Sequence, residues 1–513
     1  MAQRLQIARY RSAAQGGFDY KEKIEVANET QFLDLAGWAG KVFNGEWVHP
    51  TGGSVQVVEP ATGKVMATVG FGNAVDVNAA AKAAARAQKE WVRMPVRDRA
   101  AILRRAGDIL MANLDELGMW VTRETGAIIP KGQLEIREAA TYLYIAAGRV
   151  LEPIGHILPA DGKQSYAVRV PHGVVGVISP FNFPLILSMR AVAPALGFGN
   201  GVVLKPDPQT PVSGGFIVAR ALELAGLPKG LLQVLPGGAE AGEAICNAPE
   251  IGMVCFTGST AVGKRVGELT GKNLKRCSLE LGGKSSLIVL EDADIGLAAS
   301  NIAFGAFLHQ GQICMASGRI LVHEKIAPQV IAALAEKARH LPVGDPATGQ
   351  VALGPLINAR QVEKVQGIVT DSVAAGAKLE AGGSYEKLFY KPTVLSNVKP
   401  GMRAFEEEMF GPVAAITTFK SDDEAVELAN QTVYGLSGGI ITPNLARAWG
   451  ICERVESGLF HINDQTVADE CVNPFGGRGC SGNGGNIGGP NSAEQFTQLR
   501  WVTVKTAPNQ YPF

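Results

Sequence analysis

Cys314 lies in HQGQICMASG (309–318), among Gly311, Gln312, Ser317 and Gly318. The run is too polar and too rich in glycine for a core strand, whereas most cysteines are inert, buried, small apolar groups. A nucleophilic cysteine needs partial exposure, thiolate character and nearby donors. Glycine and glutamine permit a turn whose successive N–H groups converge on one point, which can serve as an oxyanion hole. On these residues alone two readings stand: Cys314 packs, or it reacts. His309 is the only histidine close by in sequence, and its direction is open. Upstream, Glu280 in LELGGKS follows an apolar residue and precedes two glycines, which puts its carboxyl on a backbone bend and off any solvated helix face. Either it accepts turn hydrogen bonds, or it is a general base, a role that requires a raised pKa and an adjacent water.

A second group of residues bears on nucleotide binding. FTGSTAVGKR places Gly258 and Ser259 between an apolar run and a helix start, where backbone N–H groups and the helix dipole suit a pyrophosphate. The same string spells GxxxxGK from Gly258 to Lys264, then gives Arg265 where a P-loop needs a serine or threonine for magnesium. That weighs against a P-loop hydrolase and leaves helix-start glycines without a ligand as the alternative. No GxGxxG occurs, and GFGNGV at 197–202 misses it by one position. Lys205 in LKP ends a strand on a sheet's ligand-binding edge, where it either meets a ligand or snorkels to solvent.

These side chains need a scaffold, and its pattern is α/β. AVDVNAAAKAAARAQKEW, with Asn73 as cap, the run from Arg97 to Gly126 and REAATYLYIAAGRV read as three helices. Asp161-Gly162 marks a hairpin. From 172 to 290 the strands GVVGVI, GVVLKP, LLQVLP and MVCFTG alternate with helices, the signature of a parallel sheet with crossover helices. A second alternating region, about 285 to 470, holds SSLIVL, GRILVH, AAITTF, SGGIIT and GLFHIN, and FTQLRWVTVK is a late strand. The expected architecture is two parallel-sheet α/β domains, with the hairpin and the late strand left over.

At 513 residues the chain is too long for one compact domain. Its hydrophobic fraction of 46% and charged fraction of 19% describe a packed globular protein. Lys plus Arg and Asp plus Glu stand at 48 each, so no net field favours nucleic acid or an anionic membrane. Seven cysteines without a CxxC pair argue against a disulfide framework or zinc ribbon, and no metal is expected. No apolar run reaches the ~20 residues of a membrane helix. The start, MAQRLQIARYRSAAQGG, faintly suggests an organelle presequence but lacks the apolar stretch of an export signal. The expected location is the cytoplasm.

Together, SPFNFP, LKPDPQTP, FTGSTAVGKR, LELGGKS, QGQICMASGR, EEMFGP and PFGG, in this order from 179 to 477, resemble the aldehyde dehydrogenase superfamily. QGQICMASGR and KPDPQTP are most similar to its benzaldehyde and vanillin dehydrogenase branch. The resemblance implies an aldehyde substrate, aromatic as for that branch, and NAD as cofactor. By it, Cys314 would attack the aldehyde, Asn182 would hold the oxyanion, and Glu280 would activate the water that hydrolyses a thioester. Lys205, Gly258, Ser259, Glu408, Phe410, Ser179 and Pro180 would bind the cofactor. Phe183, Leu187, Ile313, Met315 and Phe475 would wall the pocket. The domains implied are 1–150 with 171–281 for the dinucleotide, of atypical Rossmann type, and 282–485 for catalysis. An oligomerisation arm would comprise 151–170 with 486–513 and build a homodimer or homotetramer. Two departures stand out. Pro208 replaces a glutamate that many NAD-preferring members use on the adenine ribose, which opens the site to NADP. Asn486 replaces an acidic residue in a glycine-rich segment.

Overall fold

Three hydrogen-bonded sheets organise the chain in this computed structural model, which describes residues 32–513. The presequence reading of the first 17 residues lies outside that range. In the first seven-stranded sheet the order is Arg276–Glu280, Ile251–Thr257, Val174–Ile178, Gly201–Lys205, Leu232–Val234, Val42–Phe43 and Trp47–Val48. The first five are parallel, and of these Val174–Ile178 comes first in the chain, the later four being added on both sides of it. Its strand order therefore reverses between Val174–Ile178 and Ile251–Thr257, and such a switch point opens a crevice at the carboxyl ends of the strands. Ser179 to Asn182 leave one side of it and Gly258 the other. These strands are buried on both faces, as crossover helices require.

The second seven-stranded sheet runs Lys378–Ala381, Thr393–Ser396, Val413–Phe419, Arg319–His323, Ser286–Val289, Ser437–Ile441 and Leu459–Ile462. Only its first pair is antiparallel. The short Leu281–Ser285 connection passes from the carboxyl end of Arg276–Glu280 to the amino end of Ser286–Val289. The two sheets thus face each other through opposite edges, and the site groups collect at that seam. The third sheet is antiparallel: Gly155–Ile157, Gln164–Pro171 and Thr497–Val504, with Gln164–Pro171 in the centre. Among the described residues no helix is long and apolar enough to cross a membrane.

Helix ends follow local chemistry. Asn73 and Asp76 form a reciprocal capping box at the start of Ala74–Trp91. The expected helix from Arg97 to Gly126 is two, Val96–Ala112 and Leu114–Thr125, because Asn113 leaves helical geometry and its Nδ2 donates back to Ile109 O at 2.8 Å. The third helix starts earlier than expected, at Ile129, with Pro130 in the first turn, where a missing N–H costs nothing. The sequence reading passed over Ile295–Phe307, capped by Asp294, which delivers the chain directly into the cysteine segment.

Candidate active site

After Phe307 the backbone turns left-handed at three successive residues, His309, Gln310 and Gly311. For His309 and Gln310 this costs about 1 kcal/mol or more each, so the loop must be held from outside. Gln310 Nε2 donates to Gly126 O and Pro355 O at 2.9 and 2.8 Å. Gln312 Oε1 accepts from Ile357 N, and Ser317 Oγ meets Thr466 Oγ1 at 2.8 Å. A side chain at 311 would collide with Gly411 O, its Cβ at 2.2 Å. The polar residues that looked wrong for a core are therefore anchors. They present a turn, Ile313–Ala316, closed by Ala316 N donating to Ile313 O at 2.9 Å, with Cys314 at its second position. The N–H of that position has no partner within such a turn. Cys314 is half-buried between the buried Ile313 and Met315.

Asn182 is buried at the switch point, and its Nδ2 donates to Gln312 O at 3.0 Å, which ties it to the cysteine loop. Glu280 is the last residue of its strand, paired opposite Thr257 and bridged to Gly482, so it sits at a strand end and not on a bend. Its side chain is 2% exposed, and neither carboxylate oxygen has a hydrogen-bond partner among the described residues. The turn after it lies against the cysteine: a Cβ at Gly283 would come within 2.5 Å of Cys314 O. Ser481 braces the same turn, its O accepting from Leu281 N and its Oγ donating to Gly282 O. The glycine-rich segment thus supports the turn, with Asn486 packed against Gly476.

Burial pushes the Glu280 carboxyl well above the usual range, and Arg190 pulls it back. Burial also pushes the Cys314 thiol up, to about 12, with Glu408 and Glu280 adding to the rise and Arg190 opposing it. Arg190 looked in the sequence like an interruption of an apolar run. It is buried, donates Nε to Tyr142 Oη at 2.8 Å, pairs with Asp469 and lies 4.3 Å from the Phe475 ring centre. Its charge favours the anionic form of both site groups. Arg190→Leu removes it, so both pKa values rise and the acidic limb of the kcat/KM profile moves to higher pH, with activity at neutral pH falling by roughly tenfold. Arg190→Lys retains most of the limb's position; a limb that stays put in Arg190→Leu contradicts the assignment.

Of the expected walls, Ile313, Met315 and Phe475 form one apolar cluster with Leu436, and Phe183 packs against it. Leu187 is half-buried one helical turn beyond Phe183, its N–H donating to Phe183 O at 2.9 Å. Phe181, which the sequence reading passed over, meets Phe410 edge-to-face at 5.8 Å. His309 is buried edge-on against Phe183, and burial holds its ring neutral, its pKa well below the usual value. Nothing in this geometry joins it to Cys314 as a base.

On the cofactor side, Lys205 does not snorkel. It is buried, with Nζ donating to Gly237 O at 2.8 Å at the strand's carboxyl end. The Gly258 N–H is used internally, donating to Glu280 O at 3.0 Å, while Ser259 caps Thr260–Lys272 from an exposed position. The Ser179 hydroxyl is taken by Ser188 at 2.7 Å and its N–H by Lys205 O at 3.1 Å, which leaves its carbonyl for any ligand, and Pro180 beside it is half-buried. Glu408 Oε1 accepts from Gly283 N at 3.0 Å, and a Cβ at Gly282 would meet Oε2 at 2.6 Å. Phe410 is left-handed at φ 54°. A dinucleotide fits this arrangement. The crevice has a thirteen-residue helix start on one side for phosphate, and an ammonium and a carboxylate stand within it for ribose hydroxyls.

The aldehyde dehydrogenase family profile matches residues 47–502. The chain belongs to the aldehyde dehydrogenase family. It is 51% identical over 484 residues to the vanillin dehydrogenase of an Amycolatopsis species, covering 94% of this chain and 100% of that protein. It is 49% identical to the benzaldehyde dehydrogenase (NAD+) of Pseudomonas putida, covering 93% and 98%. A solved salicylaldehyde dehydrogenase of Pseudomonas putida G7, complexed with salicylaldehyde, superposes with a TM-score of 0.89 at 35% identity, covering 92% of this chain and 99% of that one. As an aldehyde dehydrogenase, the chain is an oxidoreductase acting on an aldehyde. Its fold is the expected pair of parallel-sheet units with a small antiparallel sheet.

Proposed function

We propose that the chain oxidises an aromatic aldehyde to the carboxylic acid with NAD as cofactor. The observation that carries this is the seam itself: a half-buried thiol, an unpartnered buried carboxyl and a buried amide converge from different elements. The Cys314 proton passes to Glu280 through water, the thiolate Sγ bonds to the carbonyl carbon, and the C=O electron pair moves to oxygen; Glu280 then gives that proton up to solvent. Asn182 Nδ2–H and the Cys314 N–H stabilise that oxyanion. The bound cofactor supplies the hydride acceptor. A thioester on Cys314 remains. Glu280 takes a proton from water, the hydroxide adds to the thioester carbon, and the C–S bond breaks to free the acid and restore the thiol. Lys205 and Glu408 would hold the ribose groups, Gly258 and Ser259 would lie by the pyrophosphate, Phe410 would pack at the nicotinamide end, and the carbonyls of Ser179 and Pro180 would be open to the cofactor.

Aromatic substrates suit a pocket walled by Phe183, Ile313, Met315, Leu436 and Phe475, and relatives named for vanillin, benzaldehyde and salicylaldehyde support the same reading. Retention of Glu280 opposes transfer of the acyl group to coenzyme A, which needs no water-activating base. With benzaldehyde and NAD, absorbance of the reduced cofactor rises and benzoate accumulates, and coenzyme A neither accelerates the reaction nor captures the acyl group. Position 208 carries proline and no carboxylate to repel a 2′-phosphate, and the neighbouring Asp207 is turned to Gln209 N at 2.9 Å, so NADP also supports turnover. A preference for either cofactor of about a thousandfold, roughly 4 kcal/mol, contradicts the dual claim. Failure on every aryl aldehyde in a panel where aliphatic ones react contradicts the substrate class.

Self-association is part of this proposal. Thr497–Val504 is an edge strand that exposes Leu499, Trp501, Val502 and Val504, and Gly155–Ile157 forms the opposite edge with Ile157 exposed. Apolar edges of this kind invite pairing with another chain, and a second copy covers them in a closed dimer or tetramer. Sedimentation at equilibrium gives a multiple of the chain mass; a monomer at micromolar concentration contradicts it.

A further inference from the structure

Asn182 is fixed by its side chain on the cysteine loop, but its backbone is held by an ion pair that no motif announced. Lys131 and Glu135 lie one turn apart on Ile129–Arg149, both fully buried, with Nζ and Oε1 2.5 Å apart. Lys131 Nζ also donates to Asn182 O at 2.6 Å and stands 4.2 Å from the Phe183 ring centre. Glu135 Oε2 accepts from Leu185 N and Ile186 N at 2.9 and 3.3 Å, at the start of the Pro184–Gly197 helix. That helix has no side-chain cap of its own, so Glu135 supplies one from another element and places a negative charge at the dipole's positive end.

We propose that Lys131 is a positioning residue for the oxyanion site, setting the Asn182–Phe183 peptide plane and with it both side chains; this rests on the role given to Asn182 above. Capping the helix needs only the carboxylate. The ammonium adds what a cap does not require: a hold on the carbonyl of the residue whose amide is tied to the cysteine loop, and on the ring that packs against the apolar cluster. Its three N–H bonds are all spoken for, by Glu135, Asn182 O and the Phe183 face, so the group has no slack to move. A buried charge is kept in place only by its partners, and here two of those partners are site residues.

Removing the ammonium alone leaves Glu135 buried without its partner, and the fold could suffer. The decisive variant is therefore Lys131→Met combined with Glu135→Gln, which is neutral and still offers an oxygen to Leu185 and Ile186 N–H. Its melting temperature and its affinity for reduced cofactor stay near wild type. Its kcat for benzaldehyde falls by about 100-fold, the loss expected for a displacement of about 1 Å at the reacting groups, while KM changes little. Cofactor-free hydrolysis of p-nitrophenyl acetate, which uses the thiol and the oxyanion donors but no hydride transfer, falls in parallel. Lys131→Arg, which can still reach Asn182 O, recovers at least a tenth of wild-type kcat. A double variant with wild-type kcat overturns the proposal, as does a loss that follows melting temperature across the series. If the wild-type chain turns over neither compound, the role of Asn182 and Cys314 has failed first, and the two failures are told apart.

Discussion

Cys314→Ala lowers aldehyde oxidation by about 10^4-fold or more, while Cys255→Ala keeps turnover. The contrast is physical and not a matter of cysteine content. Cys255 is buried in the apolar core on the Ile251–Thr257 strand, which is paired on both sides. Its loss costs only a small cavity, about 1 kcal/mol of stability. Cys314 is half-buried at the second position of a turn whose anchors, Gln310, Gln312 and Ser317, reach three other segments. Replacing its sulfur by hydrogen leaves those anchors intact, so the variant folds and still binds cofactor. Without the sulfur there is no covalent bond to hold the acyl carbon, and the hydride has no tetrahedral donor.

Glu280→Gln separates the two halves of the reaction. Its amide is nearly isosteric, and the strand pairing and the Gly258 N–H bond to its carbonyl oxygen involve backbone atoms alone. The first half needs the thiol and the oxyanion donors, and in the variant the thiol proton passes to water alone, so one equivalent of reduced cofactor per site still appears as a burst. The second half needs a proton taken from water, which a glutamine cannot accept. Steady-state turnover then falls by about 10^2 to 10^3-fold. Stopped-flow absorbance followed by steady-state rates reads both phases; normal cycling without a burst assigns the base to another group.

Much of this was legible because local chemistry dictated it. Asn73 and Asp76 mark the start of one helix, and the apolar runs alternating with amphipathic ones mark the parallel strands. Glu280, Asn182 and Cys314 each stand in a short motif, and the structure brings those motifs to one seam. What escaped the sequence was set by topology. Arg190 and Asp469 are brought together only when the two sheets face each other, and in the sequence the arginine merely breaks an apolar run. Lys131 and Glu135 have the spacing of an ordinary exposed helix pair; their burial depends on the helix start that packs above them.

The most direct test of the central claim is to find the acyl group. Glu280→Gln protein, mixed with benzaldehyde and NAD and quenched in acid during the stall, is digested and analysed by mass spectrometry. The account predicts one benzoyl group per chain, carried by the peptide that contains Cys314 and released by hydroxylamine. An unmodified Cys314 peptide alongside a full burst of reduced cofactor, or a benzoyl group on any other residue, would contradict it.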